Sequence, residues 1–359
     1  MVLPPGEEKK QQGDWVNLKQ KEKKDMAKKT PKNNNLTKAR VAKNDEFYTV
    51  IADIEKEMNA YYDHNPNVFR GKTILCPCDD PEWSNFTKYF TMNFKRLGIK
   101  KLICTCYNKE EGGHGKMLVL TGDTNGNGKI EADDIVATEM EGNGDFGSEE
   151  VKKLLEEADF VITNPPFSLF SEFIAWIMES KKKFSVIGNV NAITYKEVFP
   201  LIKNNKMWIG ATNFNKGMYF RVPDDYEYAD TYKFDREHNG TKVMRVPATC
   251  WFTNIDHDVR HEKLDLSTKN QLKKKGITFP KYDNYNAIEV SEGVHIPRDH
   301  KGVMGVPVTW LGKYCPEQFE IMGMTNGIDD SEVPCTGKNK TPKINGKKIY
   351  IRLLIKHKS

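Results

Sequence analysis

The sequence predicts an α/β fold: a mostly parallel sheet covered by helices on both faces, followed by a smaller C-terminal region. Three observations lead there. Short apolar runs of strand length recur between residues 44 and 259 and alternate with helix-like stretches. One of those stretches has a clear helical apolar period. After about residue 256 the alternation fades into lysines and turn residues. Strands that alternate with helices favour parallel pairing, because a parallel crossover needs the length a helix supplies.

In chain order, residues 1–43 come first. They are lysine-rich and apolar-poor, with Pro4, Pro5, Pro31 and the run Asn33-Asn34-Asn35, and predict a basic flexible arm. Glu46-Phe47-Tyr48, taken alone, reads as the start of an amphipathic helix. Strands are predicted at Thr73–Cys76, Lys101–Cys104, Phe160–Thr163 and Ser185–Gly188, with further candidates at Met207–Gly210 and Thr249–Phe252. Between the third and fourth, Phe170, Phe173, Ile174, Ile177 and Met178 form one helix face, with Ser168 as its candidate N-cap. A boundary near 260 completes a three-part division: the arm 1–43, a central domain 44–259 and a region 260–359.

The composition excludes several classes. A hydrophobic content of 38% with 29% charged residues is that of a folded soluble chain. No apolar run approaches a membrane span, and the N-terminus has no signal-peptide core. Seven scattered cysteines argue for a reducing cytoplasm rather than a disulfide scaffold. The charge is uneven: 12 Lys/Arg against 5 Asp/Glu in residues 1–43, 18 against 11 in 260–359, but 25 against 34 in the middle. Basic ends around an acidic body suggest a polyanion gripped at the ends while chemistry proceeds between them; solvated surface lysines are the plainer reading.

Ligands of such sheets bind beyond the carboxyl ends of the strands. There, after Phe160–Thr163, stands Asn164-Pro165-Pro166-Phe167. Two prolines fix two φ angles and remove two donors, and Pro165 pushes Asn164 into an extended conformation. The result is a stiff loop that offers a carboxamide oxygen and the Pro165 carbonyl, two acceptors for one amino group, beside an aromatic ring on which a flipped base can stack. This is the signature loop of amino-group methyltransferases that use S-adenosylmethionine; a proline-stiffened turn without chemistry is the alternative.

The resemblance extends further. Asp45–Thr49, Cys78–Pro81, Ser84–Phe86, Gly144–Phe146, Thr163–Phe170, Gly188–Tyr195 and Met304–Pro307 together resemble the EcoRI-type family of adenine-specific DNA methyltransferases, from about residue 44 to the C-terminus. The resemblance implies a Rossmann-like S-adenosylmethionine-dependent sheet, a C-terminal target-recognition region, and methyl transfer to adenine N6 in double-stranded DNA with base flipping. It implies catalytic roles for Asn164, Pro165, Pro166 and Phe167. Phe47, Tyr48 and Thr49 would wrap the methionine part of the cofactor, and Cys78, Asp79, Asp80 and Asn85 would lie along it. Asp145, with Phe146, would hold its adenine, and Tyr107 would stack on that ring. Two departures stand out. The usual glycine-rich loop after the first strand is replaced by Cys78-Asp79-Asp80, where an Asx turn before Pro81 is the structural alternative, and the acid expected after the second strand is replaced by Cys106-Tyr107-Asn108. A cytoplasmic monomer follows, with a cognate restriction endonuclease as a partner that forms no stable complex. The same chemistry on RNA or a protein amide, and a non-catalytic DNA-binding protein, are the competing functions.

Other signals carry less. Asp123–Asp134 has the oxygen spacing of a calcium loop, but a strand-like run precedes it and Asp replaces the final Glu, so a polar hairpin is favoured. Cys76, Cys78, Cys104 and Cys106 lie at two strand ends, with buried thiols favoured over zinc. His257 and His261 are four apart but lack the Glu of a zinc-protease helix; a helix facing DNA or solvent is expected. Gly112-Gly113-His114-Gly115 reads as a turn. No metal is expected.

Overall fold

The fold is described from a computed structural model, over residues 48–130, 132–327, 332–336 and 340–358. Outside the segment 227–232, these residues form one compact unit. Within that segment the Tyr228 and Tyr232 rings stand 4.9 Å apart. The arm 1–43 and Phe47 lie outside the described residues.

The chain enters through a two-residue strand β1 (Tyr48–Thr49) and helix α1 (Ile51–His64). Of the helical reading of Glu46–Tyr48 only Tyr48 falls among the described residues, and it is extended because Tyr48 and Thr49 pair with a later strand. There follow β2 (Thr73–Cys76), α2 (Asn85–Met92), α3 (Phe94–Leu97), β3 (Lys101–Cys106), β4 (Lys116–Leu120) and β5 (Ile135–Glu139). Helix α4 (Glu149–Glu157), β6 (Phe160–Thr163), α5 (Phe170–Ser180), β7 (Lys183–Asn189), α6 (Phe199–Lys203) and β8 (Trp208–Ile209) continue the alternation. Next come β9 (Met218–Arg221), β10 (Glu237–His238), β11 (Thr241–Val246) and β12 (Thr249–Thr253).

Eight of these strands form one sheet in the order β5-β4-β3-β2-β6-β7-β12-β8. Its centre is parallel, β3-β2-β6-β7, and both wings are antiparallel. The expected mostly parallel sheet is therefore mixed. On one side the chain turns back after β3, through 107–115, and again after β4, through 121–134, each time as a hairpin instead of crossing over through a helix. The centre carries the apolar signal: every residue of β2 and β6 is buried. Gly188 of β7 admits the Phe170 ring, since a Cβ there would come within 2.4 Å of it, and this close approach seats α5 on the sheet.

A second sheet, β1-β9-β11-β10, is antiparallel throughout. Beyond it, helix α7 (Lys269–Lys274) precedes β13 (Ala287–Glu289), β14 (Val303–Pro307), β15 (Phe319–Met324), the pair β16 (Lys343–Ile344) and β17 (Lys347–Lys348), and β18 (Arg352–His357). Strands β13-β14-β18-β15 form a third sheet. One apolar core runs through both large sheets: Phe170, Phe199, Ile209 and Phe252 belong to the same cluster as Met304, Trp310, Phe319 and Ile355. The run 347–352 is strand-like in composition but is interrupted. Tyr350 and Ile351 stand outside the ladder, and only from Arg352 does β18 pair on both sides, burying Leu353, Leu354 and Ile355. No helix among the described residues is long and apolar enough to cross a membrane.

Candidate active site

The carboxyl ends of β2, β3 and β6 meet on one edge of the central sheet, and most of the sequence-predicted site residues lie there. Strand β6 ends at Thr163, and Asn164 to Phe167 follow. Pro165 is buried, and Asn164, Pro166 and Phe167 are half-buried. The helix beyond does not start at Ser168. The Pro166 carbonyl accepts from Leu169 N at 3.0 Å, which tightens Phe167–Leu169 into a 3-10 turn, and α5 begins at Phe170 with no side-chain cap. Phe167 is set edge-on against the buried Phe220 of β9, with centroids 6.4 Å apart.

Asp79 ties this loop to the rest of the edge. It is buried, takes the Ser84 hydroxyl at 2.7 Å, and takes the Thr163 hydroxyl one residue before Asn164. Ser84 is the N-cap of α2 and also accepts from Phe86 N. The Asp79 amide bonds Thr105 O of β3 at 2.9 Å. Thus one carboxylate links β2, β6 and the start of α2. Burial pushes its pKa up to about 7, against the pull of the two hydroxyl donors. Asp80 forms the Asx turn: its Oδ1 accepts from Glu82 N and Trp83 N at 2.8 and 3.1 Å. Cys78 is half-buried.

Asn85, the first residue of α2, donates from Nδ2 to Thr49 O at 2.7 Å and holds β1 against this edge. Thr49 itself is buried with its hydroxyl unpartnered, and its register partner on β9 is Phe220, the residue behind Phe167. The Tyr48 backbone lies in the same strand.

On the far side of β2, Asn108 N bonds Asn143 O at 2.8 Å, which draws the 142–146 turn to the end of β3. Gly144 makes the approach possible: it has φ 77°, and a Cβ would come within 2.3 Å of the Cys106 carbonyl. Asp145 is half-buried, with Oδ1 accepting from Gly147 N at 2.7 Å. Tyr107 is 45% exposed and lines an open cleft with His114, Glu141, Gly142 and Asn143. Phe146 points the other way and packs on Phe173 and Trp176, at 5.0 and 5.6 Å, so its ring anchors the turn to α5.

Several other sequence features resolve structurally. The 123–134 segment is the β4–β5 hairpin: Asp123 receives Gly126 N, Asn127 N and Gly128 N, and Asp134 Oδ1 receives Thr124 N and Oγ1. Cys76 and Cys104 are buried register partners on adjacent parallel strands. Asp258–His261 is a 3-10 turn rather than an α-helix. His257 is buried with Nε2 near Ile209 O, while His261 is half-exposed between Asp256 and Glu317, so the two do not share a face as a helix pair would.

Sequence reasoning missed Glu57. It is fully buried on α1 and takes Tyr61 OH at 2.6 Å, Ala211 N and Thr212 N at 2.8 Å, and the Thr212 hydroxyl. It thereby fixes the loop after β8. The available signal was an acid inside the apolar stripe of Ile54, Met58 and Tyr61.

A stiff Asn-Pro-Pro-Phe loop, a buried carboxylate behind it and an aromatic-lined cleft two strands away point first to the class: an α/β methyltransferase. The comparisons agree. The family model for adenine-specific methyltransferase EcoRI matches residues 35–358, and the chain belongs to this family. It is 43% identical over 332 residues to the Type II methyltransferase M.EcoRI of Escherichia coli, covering 90% of this chain and 96% of that one. It is 34% identical to the Type II methyltransferase M.MpnI of Mycoplasma pneumoniae and 35% identical to M.MgeORF184P of Mycoplasma genitalium, each over 89% of this chain and 97% of the relative. No solved structure matches.

Proposed function

We propose that the protein is a site-specific DNA methyltransferase that moves a methyl group from S-adenosylmethionine to adenine N6 in duplex DNA, on a Rossmann-like sheet. The observation that carries this reading is the Asn164–Phe167 loop at the carboxyl end of β6, held from behind by the Asp79–Thr163 bond.

The residues present fit the cofactor. A buried unpartnered hydroxyl on Thr49, the Asp80 and Asp145 carboxylates and the accessible Tyr107 ring lie along one edge, where a chain of polar groups and an aromatic ring can be met together. When bound, S-adenosylmethionine supplies an electrophilic methyl group. Thr49 and Asn85 would border its methionine end, and Tyr107 and Asp145 its adenine.

The chain's own work is positional. Adenine N6 is out of reach within a stacked duplex, so the base is extruded. The Asn164 carboxamide oxygen and the Pro165 carbonyl accept the two amino hydrogens and aim the nitrogen lone pair outward. Phe167, backed by Phe220, offers a ring to the base. N6 takes the methyl group and sheds one proton, with no covalent bond to the enzyme and no catalytic cysteine.

The test is to incubate the protein with labelled cofactor and unmodified duplex DNA and map the modified atom. Asn164→Ala should lower turnover by about 10²–10³ while duplex binding persists. Near-normal turnover in this variant, or label on RNA or protein only, would refute the assignment.

A further inference from the structure

The hairpin β16–β17 stands out at the end of the third sheet. Lys343 pairs with Lys348 and Ile344 with Lys347, around Asn345 and Gly346, both left-handed with φ 50° and 75°. That is the two-residue turn a tight ribbon requires. It is held from outside: Asp283 accepts Asn345 N at 3.0 Å and Gly346 N at 2.7 Å, Asp283 N bonds Lys343 O, and Asn284 Oδ1 takes Lys343 N. The acid beside these lysines is thus spent on the turn amides rather than on the lysines. Residues 345–348 are exposed, and just beyond them Tyr350 is 86% exposed.

Connectivity places this ribbon. Arg352, at the start of β18, pairs with Pro307, from which a 3-10 turn, Val308–Lys313, leads to the main sheet. There Thr309 O accepts from Asn215 Nδ2 at 2.9 Å, and Gly312 lies against the Phe214 ring. Both partners are in the loop after β8, a strand parallel to β7 whose loop opens on the catalytic edge. The hairpin therefore projects from the end of the third sheet that meets the catalytic edge.

From these observations we propose that the ribbon 343–351 enters the major groove of the bound duplex, with Lys343, Lys347 and Lys348 on phosphates and Tyr350 against a base. The inference rests on the duplex-DNA reading above and names the element that grips and discriminates the site. A two-stranded ribbon fits the major groove. A preorganised turn spares the ordering cost that a mobile loop would meet on binding. An exposed tyrosine beside cations combines an apolar ring for a base edge, such as a thymine methyl, with phosphate neutralisation.

Three variants of the full chain decide it: Lys347→Gln with Lys348→Gln, Tyr350→Ala, and Tyr350→Phe. Each is titrated by fluorescence anisotropy, across salt, against the duplex that the wild type methylates and a duplex lacking that site. The lysine pair should flatten the slope of log affinity against log salt by about 1.8 on both duplexes. Tyr350→Ala should reduce the preference for the methylated site about tenfold, and Tyr350→Phe should restore it. A lysine-pair slope unchanged from wild type, together with a Tyr350→Ala preference within about twofold of wild type, would overturn the hairpin assignment while leaving the enzyme reading intact. A wild type that neither binds nor methylates duplex DNA would instead overturn that reading, and this inference with it.

Discussion

Replacing Asp79 by Asn tests how the Asn164–Phe167 loop is held. The Asp79 carboxyl has an ordinary value of 3.8 and is raised to about 7, chiefly by burial. Between those values the native protein holds a proton that the unfolded chain has released. This group's contribution to stability is therefore fullest below pH 4 and is lost as pH rises through 7. The full gap corresponds to about 4 kcal/mol, and between pH 5 and pH 8 the wild type should lose about 2.7 kcal/mol relative to Asp79→Asn, whose amide does not titrate. Urea unfolding of both proteins at half-unit steps reads the difference directly, because other titrating groups cancel in the comparison. Turnover should move in the opposite direction. The ionised carboxylate is the stronger acceptor for the Thr163 hydroxyl, so wild-type methyl transfer should rise through pH 7 while Asp79→Asn and Thr163→Val lose that limb. A wild-type-minus-variant stability difference that stays flat from pH 5 to 8 would refute the argument.

Glu57→Ala strands two backbone amides and takes one of two partners from the Tyr61 hydroxyl, which keeps Ser185 Oγ, and should cost about 3–5 kcal/mol in urea unfolding, with the 210–212 loop the first region to lose hydrogen-exchange protection. Tyr107→Ala should weaken cofactor binding about two- to tenfold by calorimetry, with turnover at saturating cofactor little changed; an unchanged affinity would remove the stacking role. Deleting residues 1–43, with 12 Lys/Arg against 5 Asp/Glu, should weaken binding to all duplexes alike and flatten its salt dependence, whereas a changed methylation sequence would mean the arm reads bases.

The centre of the fold was legible because its strands are buried on both faces. Thr73–Cys76 and Phe160–Thr163 read as unbroken apolar runs, and the helix at Phe170–Ser180 followed from its period. The wings were not. β4 runs against the centre only because of what a hairpin loop does, and β5, with four of its five residues exposed, offers no apolar run to count. Likewise 347–352 has one continuous strand-like composition, yet the Asn345-Gly346 turn and Asp283 organise its first half, and pairing with β14 and β15 organises the rest. Local pattern cannot distinguish those partners.

The candidate site divides along the same line. Asn164-Pro165-Pro166-Phe167 is legible because its stiffness is local, written in two adjacent prolines. What holds it is not local. The hydroxyl that meets Asp79 lies 84 positions away, and the ring behind Phe167 belongs to β9, brought there by pairing with β1. From sequence, Asp79 and Asp80 are two equivalent acids after a strand. In the structure one is buried and spends both oxygens on Ser84 and Thr163, while the other closes an Asx turn at the surface. Which acid meets a ligand and which braces the loop is decided by burial and by long-range donors. A rigid loop can aim an amine only as well as the strand end beneath it is fixed, so on the proposed mechanism the residue that braces Thr163 bears on the chemistry as directly as Asn164.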